Sequence, residues 1–197
     1  DRTWVAKKGQ SIATSIILRP SPDVVAKLHM VCSLAVAFSI EKASGLLPEI
    51  KWPNDVRIKG KKLAGILIET EVKGVQVDHA VVGIGMNVNL DPVSYAEIEF
   101  SATSLFKQTG RVLDRADVLS TLLIHLDRYY NEIKCGGSLT QRWAKKLETL
   151  GRLIRVRSGD DLIEGIADSV DNQGNLVLRK PDGSLMSISA GEVTLQA

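Results

Sequence analysis

Two cysteines and three histidines in 197 residues exclude several kinds of chemistry at once. Cys32 and Cys135 stand far apart with no metal-like spacing, so neither a zinc site nor a disulfide framework is expected. Two isolated cysteines suit a reducing compartment, and a cytoplasmic location is the expectation. His29, His79 and His125 are scattered, near no cysteine or acid cluster, and each fits an ordinary core or surface histidine. No apolar run approaches the roughly 20 residues that a membrane helix needs. The richest stretch, Val24 to Ile40, is broken by Lys27, His29 and Ser33 and reads as a buried helix. A net charge of +2 is too small to imply nucleic-acid or membrane binding. There is no phosphate-binding loop of the P-loop type, no nucleophile elbow, no repeat and no low-complexity segment. The opening Asp1-Arg2-Thr3-Trp4 is not a signal peptide. The chain starts abruptly, and residues upstream of Asp1 are expected in the complete protein.

What is present is an ordinary globular balance, 44% hydrophobic and 24% charged, on a chain long enough for one core and a small appended domain. Ile12 to Leu18 is β-branched, stops at Pro20 and reads as a strand. Ser21-Pro22-Asp23 opens a helix expected to run to Gly45. Glu49 to Trp52, Val56 to Ile58, Leu63 to Ile68 and Val75 to Ile84 read as successive strands, with turns at Lys59-Gly60-Lys61 and Lys73-Gly74. Residues 87–99 read as a loop. Helices are expected at Ser104 to Thr109, after Asp114, and from Leu139 to Leu150. The face of the second carries Val118, Leu122, Leu126, Tyr129 and Ile133. Beyond Gly151 the texture changes to short strands separated by turn residues, which suggests a small β-barrel and a domain boundary at residue 150. The fold class expected is α+β: a mixed, largely antiparallel sheet with helices, plus the barrel.

Three segments break local rules. Lys51-Trp52-Pro53-Asn54-Asp55 ends a strand with a charge, an aromatic and a forced turn. Lys62-Leu63-Ala64-Gly65-Ile66-Leu67 starts an apolar strand with a lysine and interrupts it with a glycine, which weakens a strand unless something approaches the backbone. Gly83-Ile84-Gly85-Met86-Asn87 places two glycines after an apolar run. It lacks the third glycine and the helix of a dinucleotide fingerprint. Taken singly, each also fits a plain explanation: a turn, a cluster of solvated charges with Arg57, Lys59 and Lys61, and a bulged strand end.

Together and in this order, the three segments resemble the biotin–protein ligase family. Arg2-Thr3-Trp4 is similar to the end of that family's glycine- and arginine-rich loop, and the tail beyond Gly151 is similar to its SH3-like barrel. The resemblance implies a class II synthetase-like catalytic domain over residues 1–150, lacking its N-terminal part, and an SH3-like domain over 151–197. It implies site residues by position. Lys62 would meet the biotin carboxylate and the reacting phosphate, Lys51 would lie near the phosphates, and Arg2 would belong to the nucleotide loop. Trp4 would pack against adenine, with Asn54 and Asn87 on the nucleotide side. Gly83, Gly85, Gly65 and Leu67 would lie beside the biotin rings. Many relatives carry a large aromatic near Ala13, so the pocket wall is expected to differ here. No metal ligand is assigned.

The implied activity is ATP- and Mg²⁺-dependent formation of biotinyl-adenylate, then transfer of biotin to a lysine of a carboxylase's biotin carboxyl carrier domain. Two anions meet in the first step, so positive charge from Lys62, Lys51, Arg2 and Mg²⁺ would stabilise it. Exposed sheet edges make a homodimer the expectation. Membrane partners are not expected, and nucleic acid only through an N-terminal domain outside this sequence. The alternatives are a lipoate–protein ligase, a regulatory module that holds biotinyl-adenylate, and a structural domain that binds neither biotin nor ATP.

Overall fold

Alternation decides the architecture. In a strand, successive side chains point to opposite faces. Ala80, Val82, Ile84 and Met86 are buried, while the residues between them carry little or no side chain at Gly83 and Gly85. A computed structural model describes residues 4, 6, 8–74, 76–91, 101–159 and 161–195. It places these alternating runs in a five-stranded sheet. The strands are β1 (Ser11–Leu18), β2 (Glu49–Lys51), β3 (Asp55–Ile58), β4 (Lys61–Lys73) and β5 (Gln76–Asn87), in the order β1-β5-β4-β3-β2, and every neighbouring pair is antiparallel.

One face of this sheet is covered by helix α2 (Leu28–Ser44), which follows the single turn α1 (Pro22–Val25). The sequence suggested one helix from Pro22 to Gly45; the structure breaks it at residues 26–27, where the amides of Lys27 and Met30 bond only three residues back. α2 is buried nearly all round, from Leu28 and Val31 to Val36 and Ile40, because α4 (Arg115–Lys134) packs on its far side. Truncating such a side chain, as in Leu28→Ala, costs about 2–5 kcal/mol. α2 ends at Gly45 in the left-handed conformation, φ 74°, as a C-terminal glycine should. The short α3 (Leu105–Thr109) begins one residue after Ser104, which caps it by accepting from the Lys107 amide, and α4 begins at the expected Asp114, whose side chain accepts from the Ala116 amide. On α4 the buried aromatic is Tyr130; Tyr129 lies half-buried beside it and turns to His125.

The helix expected from Leu139 to Leu150 is shorter. α5 covers Thr140–Ala144 only. The next residues are captured by β2: the Ile50 amide donates to the Lys146 carbonyl and the Glu148 amide to the Ile50 carbonyl. A second five-stranded antiparallel sheet follows, β6 (Leu153–Ser158), β7 (Asp161–Val170), β8 (Leu176–Arg179), β9 (Leu185–Ile188) and β10 (Glu192–Leu195), in the order β10-β6-β7-β8-β9. The α+β class and the antiparallel character are as expected. Among the described residues, no helix is long and apolar enough to cross a membrane.

The two sheets are joined at Trp52. Its amide donates to Thr149 Oγ1 at 3.0 Å, and its Nε1 donates to the Gly174 carbonyl at 3.0 Å. The tryptophan of the Lys51–Asp55 segment is therefore an internal fastener, 2% exposed, rather than a ligand-facing ring.

Candidate active site

The uncovered face of the first sheet holds a cleft of about 450 Å³, within the roughly 300–1,000 Å³ usual for small-molecule sites. Its floor follows from strand register. Ala13 pairs with Gly85, Gly85 with Gly65 and Gly65 with Asp55, so four strands contribute one row. The next row is Ser15, Gly83 and Leu67. Three glycines and an alanine leave a patch of nearly bare backbone, bordered by Leu67, which is 60% exposed. Contrary to expectation, Gly83 to Asn87 is not a strand end: both glycines lie inside β5 with unbroken pairing to β1 and β4.

The glycines differ in what requires them. A methyl at Gly85 would lie 2.5 Å from Trp4 Cε2. A methyl at Gly65 would lie 2.8 Å from Lys62 Cε and 3.3 Å from Trp4 Cζ3. At Gly83 the nearest atom would be the Leu67 carbonyl oxygen at 3.7 Å, an ordinary contact. Trp4 and Lys62 thus account for Gly85 and Gly65. Nothing in the described protein accounts for Gly83, whose missing side chain keeps the floor open. The Trp4 Nε1 is buried with no hydrogen-bond partner.

Lys62 reaches this face through a β-bulge. The residues of β4 that face the helices are Ala64 and Ile66, so strict alternation would send Lys62 into the core. Pairing shifts between Val56↔Ala64 and Arg57↔Lys62, leaving Leu63 as the extra residue. Leu63 is buried, and Lys62 joins the face of Gly65. Re-aiming a side chain is a common use of a bulge. The Lys62 backbone is held from outside the sheet: its amide donates to Ser101 O at 2.9 Å, and its carbonyl accepts from the Thr103 amide at 2.8 Å. Its Nζ stands 2.6 Å from Asp55 Oδ1 and 5.9 Å from the centre of the Trp4 ring.

Of the residues singled out from sequence, Trp4, Asn54, Lys62, Gly65, Leu67, Gly83 and Gly85 line one cleft with Ala13. Asn54 is fixed by donating Nδ2 to the Ile66 carbonyl at 2.8 Å. Two residues stand outside that lining. Lys51 ends β2 opposite Asp55, half-buried; burial, then the nearby Arg57 guanidinium, lowers its pKa against the opposing pull of Asp55, Glu148 and Glu192. Asn87 is buried one row beyond Gly85, paired with Ser11; its Nδ2 donates to Thr103 O while its Oδ1 has no partner. Arg2 lies outside the described residues.

Sequence reasoning missed Asp55 as the partner of Lys62, and it missed Thr14 and Ser15 as lining residues. It also missed a second cleft of about 480 Å³ that shares Ala13 with the first and includes Lys8, Ser11 and Arg115. His79 stands closer to acids than expected, because pairing of β4 with β5 sets it against Glu71 and its own neighbour Asp78. Asp78 also pairs with Lys73. This group is six strand positions beyond Gly65, about 20 Å from the floor at 3.3 Å per residue.

Residues 1–87 match the description of the biotin/lipoate A/B protein ligase family, and residues 149–195 match the biotin protein ligase C-terminal domain. A biotin–[acetyl-CoA-carboxylase] ligase of Paracoccus denitrificans is 34% identical over 98% of this chain and 82% of its own length. The bifunctional ligase/repressor BirA of Bacillus subtilis is 33% identical over 92% of this chain, which spans 58% of that relative. The biotin protein ligase of Aquifex aeolicus, solved in complex with biotin and ATP, superposes with a TM-score of 0.83 at 27% identity, over 99% of this chain and 82% of that one. The bare-backbone floor, the lysine brought to it by a bulge and the two sheets in succession all fall within these matches: the chain belongs to the biotin–protein ligase family.

Proposed function

We propose that this protein activates biotin with ATP and transfers it to a lysine of a biotin carboxyl carrier domain. The observation that carries the reading is the convergence of one lysine, Lys62, on a floor that lacks side chains and is walled by Leu67 and Trp4. A flat apolar bicycle can lie on Gly83, and the carboxylate at the end of a flexible tail can meet the ammonium beside Gly65 in the neighbouring row. In the first step a biotin carboxylate oxygen attacks the α-phosphorus of ATP, and the bond to pyrophosphate breaks. Lys62, with Lys51 and Arg2, would offset the negative charge that accumulates. In the second step the carrier amine attacks the acyl carbon, AMP leaves and the amine gives up a proton.

Trp4, Asn54 and Asn87 are the nucleotide-side residues in this reading, and the neighbouring cleft with Lys8 and Arg115 offers further positive charge. Among the described residues no carboxylate lines the main cleft itself, and Asp55, at its edge, is paired with Lys62. Magnesium, which prefers several waters and substrate phosphate oxygens, would therefore arrive on the nucleotide rather than in a protein cage. The chain divides, on this reading, at residue 150, which the start of the second family match at residue 149 supports. A homodimer and a reducing, cytoplasmic setting complete the proposal; both cysteines are free thiols, which suits that setting.

The test is biotin-dependent pyrophosphate release from the full-length protein. Lys62→Ala should reduce it by about 10²–10³-fold, as loss of one charge-stabilising donor does, with the melting temperature unchanged. Near-wild-type release from that variant would remove Lys62 from the reaction. Release driven by lipoate instead of biotin would move the protein to the sister activity.

A further inference from the structure

An acidic side chain stands at the edge of a site proposed for two anionic substrates, against the lining residue Lys62. Asp55 continues the floor row Ala13–Gly85–Gly65, so its carboxylate faces the cleft side of the sheet. A carboxylate there repels a second carboxylate and a triphosphate, unless it is engaged. It is engaged: Asp55 Oδ1 lies 2.6 Å from Lys62 Nζ, and the two side chains are 24% and 35% exposed, respectively.

We infer that Asp55 is the positioning residue for Lys62, fixing the ammonium where charge develops during adenylation. This rests on the ligase reading above. A lysine head rides on four rotatable carbons and holds no fixed place by itself. Here the start of the side chain is set. The bulge sets its face, Ser101 and Thr103 hold its backbone, and the bare backbone of Gly65 lets the stem cross the strand. The stem and head remain free to rotate unless something outside the residue holds them, and the Asp55 carboxylate does so. Asp55 is itself held by pairing on both sides, with Lys51 in β2 and Gly65 in β4. An ammonium has three donors. One directed to Asp55 leaves two for a substrate carboxylate and a phosphate oxygen, so the pair does not have to separate when substrates arrive.

This predicts a particular pattern. Asp55→Ala removes the acceptor and frees the head. Displacement of a catalytic group by about 1 Å can cost on the order of 10²-fold in rate, so kcat for pyrophosphate release should fall by about 30–100-fold. The KM for biotin should change by less than about threefold, since a mobile cation still attracts a carboxylate. Asp55→Asn keeps an accepting oxygen at the same place and should restore kcat to within about fivefold of wild type. All three full-length proteins would be compared by steady-state pyrophosphate release and by thermal melting. The split between kcat and KM, with rescue by asparagine at equal melting temperature, supports positioning. Wild-type kcat in Asp55→Ala overturns it, as does a variant whose loss follows its melting temperature or is not rescued by asparagine. A wild-type protein that releases no pyrophosphate with biotin would overturn the ligase reading, and this inference with it; an active wild type beside an unaffected Asp55→Ala overturns this inference alone.

Discussion

Replacing Gly83 and Gly85 by alanine, one at a time, separates two reasons for a glycine. At Gly83 a methyl would find its nearest neighbours, the Leu67 carbonyl oxygen and Cβ, at 3.7 and 3.8 Å. The protein accepts it without movement. Glycine within a strand costs about 0.5–1 kcal/mol relative to alanine, and 1 kcal/mol moves the melting point of a chain this size by about 2–4 °C. Gly83→Ala should therefore melt about 1–4 °C higher than wild type. The same methyl rises from the floor on which the proposed ligand rings lie, so biotin affinity should fall by about 10–100-fold, or about 1.4–2.8 kcal/mol. At Gly85 the methyl would lie 2.5 Å from Trp4 Cε2 and 2.8 Å from Cδ2 and Cζ2. Carbon atoms settle at about 3.5–4.0 Å, so the indole must lift by about 1 Å. Gly85→Ala should unseat Trp4 and weaken ATP by about tenfold, more than it weakens biotin. Trp52 and Trp143 are buried elsewhere, at 2% and 0% exposure, so a red-shifted emission in Gly85→Ala reports Trp4. Calorimetric titration, thermal melting and emission spectra decide the matter. Wild-type biotin affinity in Gly83→Ala, or an unchanged emission spectrum in Gly85→Ala, would refute the division of roles.

Lys51 and His29 shift stability in the same direction with pH, in different windows. Burial, and next the Arg57 guanidinium, lowers the pKa of Lys51 in the folded state. The unfolded chain then binds more protons below the ordinary lysine value, so stability rises with pH in that window. Lys51→Met should melt no lower than wild type at pH 7 while slowing pyrophosphate release by about 10²-fold; unchanged release would remove Lys51 from the chemistry. His29 is half-buried, its Nδ1 is enclosed without a partner, and burial lowers its pKa. Stability should fall as pH drops through about 6.5, the ordinary histidine value, because the unfolded chain gains a proton that the folded one resists. His29 shares a cavity with Trp52 and Pro53, so the loss should reach the Lys51–Asp55 segment. His29→Leu should flatten the melting curve between pH 7 and 5, and a wild-type slope in that variant would assign the acid sensitivity elsewhere.

Much of the fold was legible because it rests on local signals. The β3–β4 turn is one: Lys59 and Gly60 both take positive φ, 48° and 74°, the geometry of a tight hairpin. The cap at Asp114 is another. What was not legible depends on partners distant in sequence. Residues 145–150 carry a helical pattern, yet Ile50 offers Lys146 and Glu148 a sheet-like bridge that the helix cannot match. His79 has no acid cluster near it in sequence, but the β4–β5 register brings Glu71 to it.

The site divides along the same line. Residue types in a recurring order pointed to Lys62, Gly65 and Gly83, but Lys62 on the cleft face contradicts the alternation that located the strand. Ala64, Ile66 and Ile68 mark the helix-facing positions of β4, and Lys62 shares their parity. Only the slip between Val56 and Arg57 reconciles them, and a slip belongs to the pairing of two strands, not to either strand alone. The same slip buries Leu63, whose apolar side chain could not stand on the open face without cost. Asp55 pairs with Gly65 across this irregular stretch, so its meeting with Lys62 depends on the bulge as well. A regular ladder would send the lysine toward the core, away from both its carboxylate and the cleft. The defect in the sheet is therefore what assembles the reactive end of the site, and the identities of Leu63 and Lys62 as an apolar–cationic pair are what make that defect the stable arrangement.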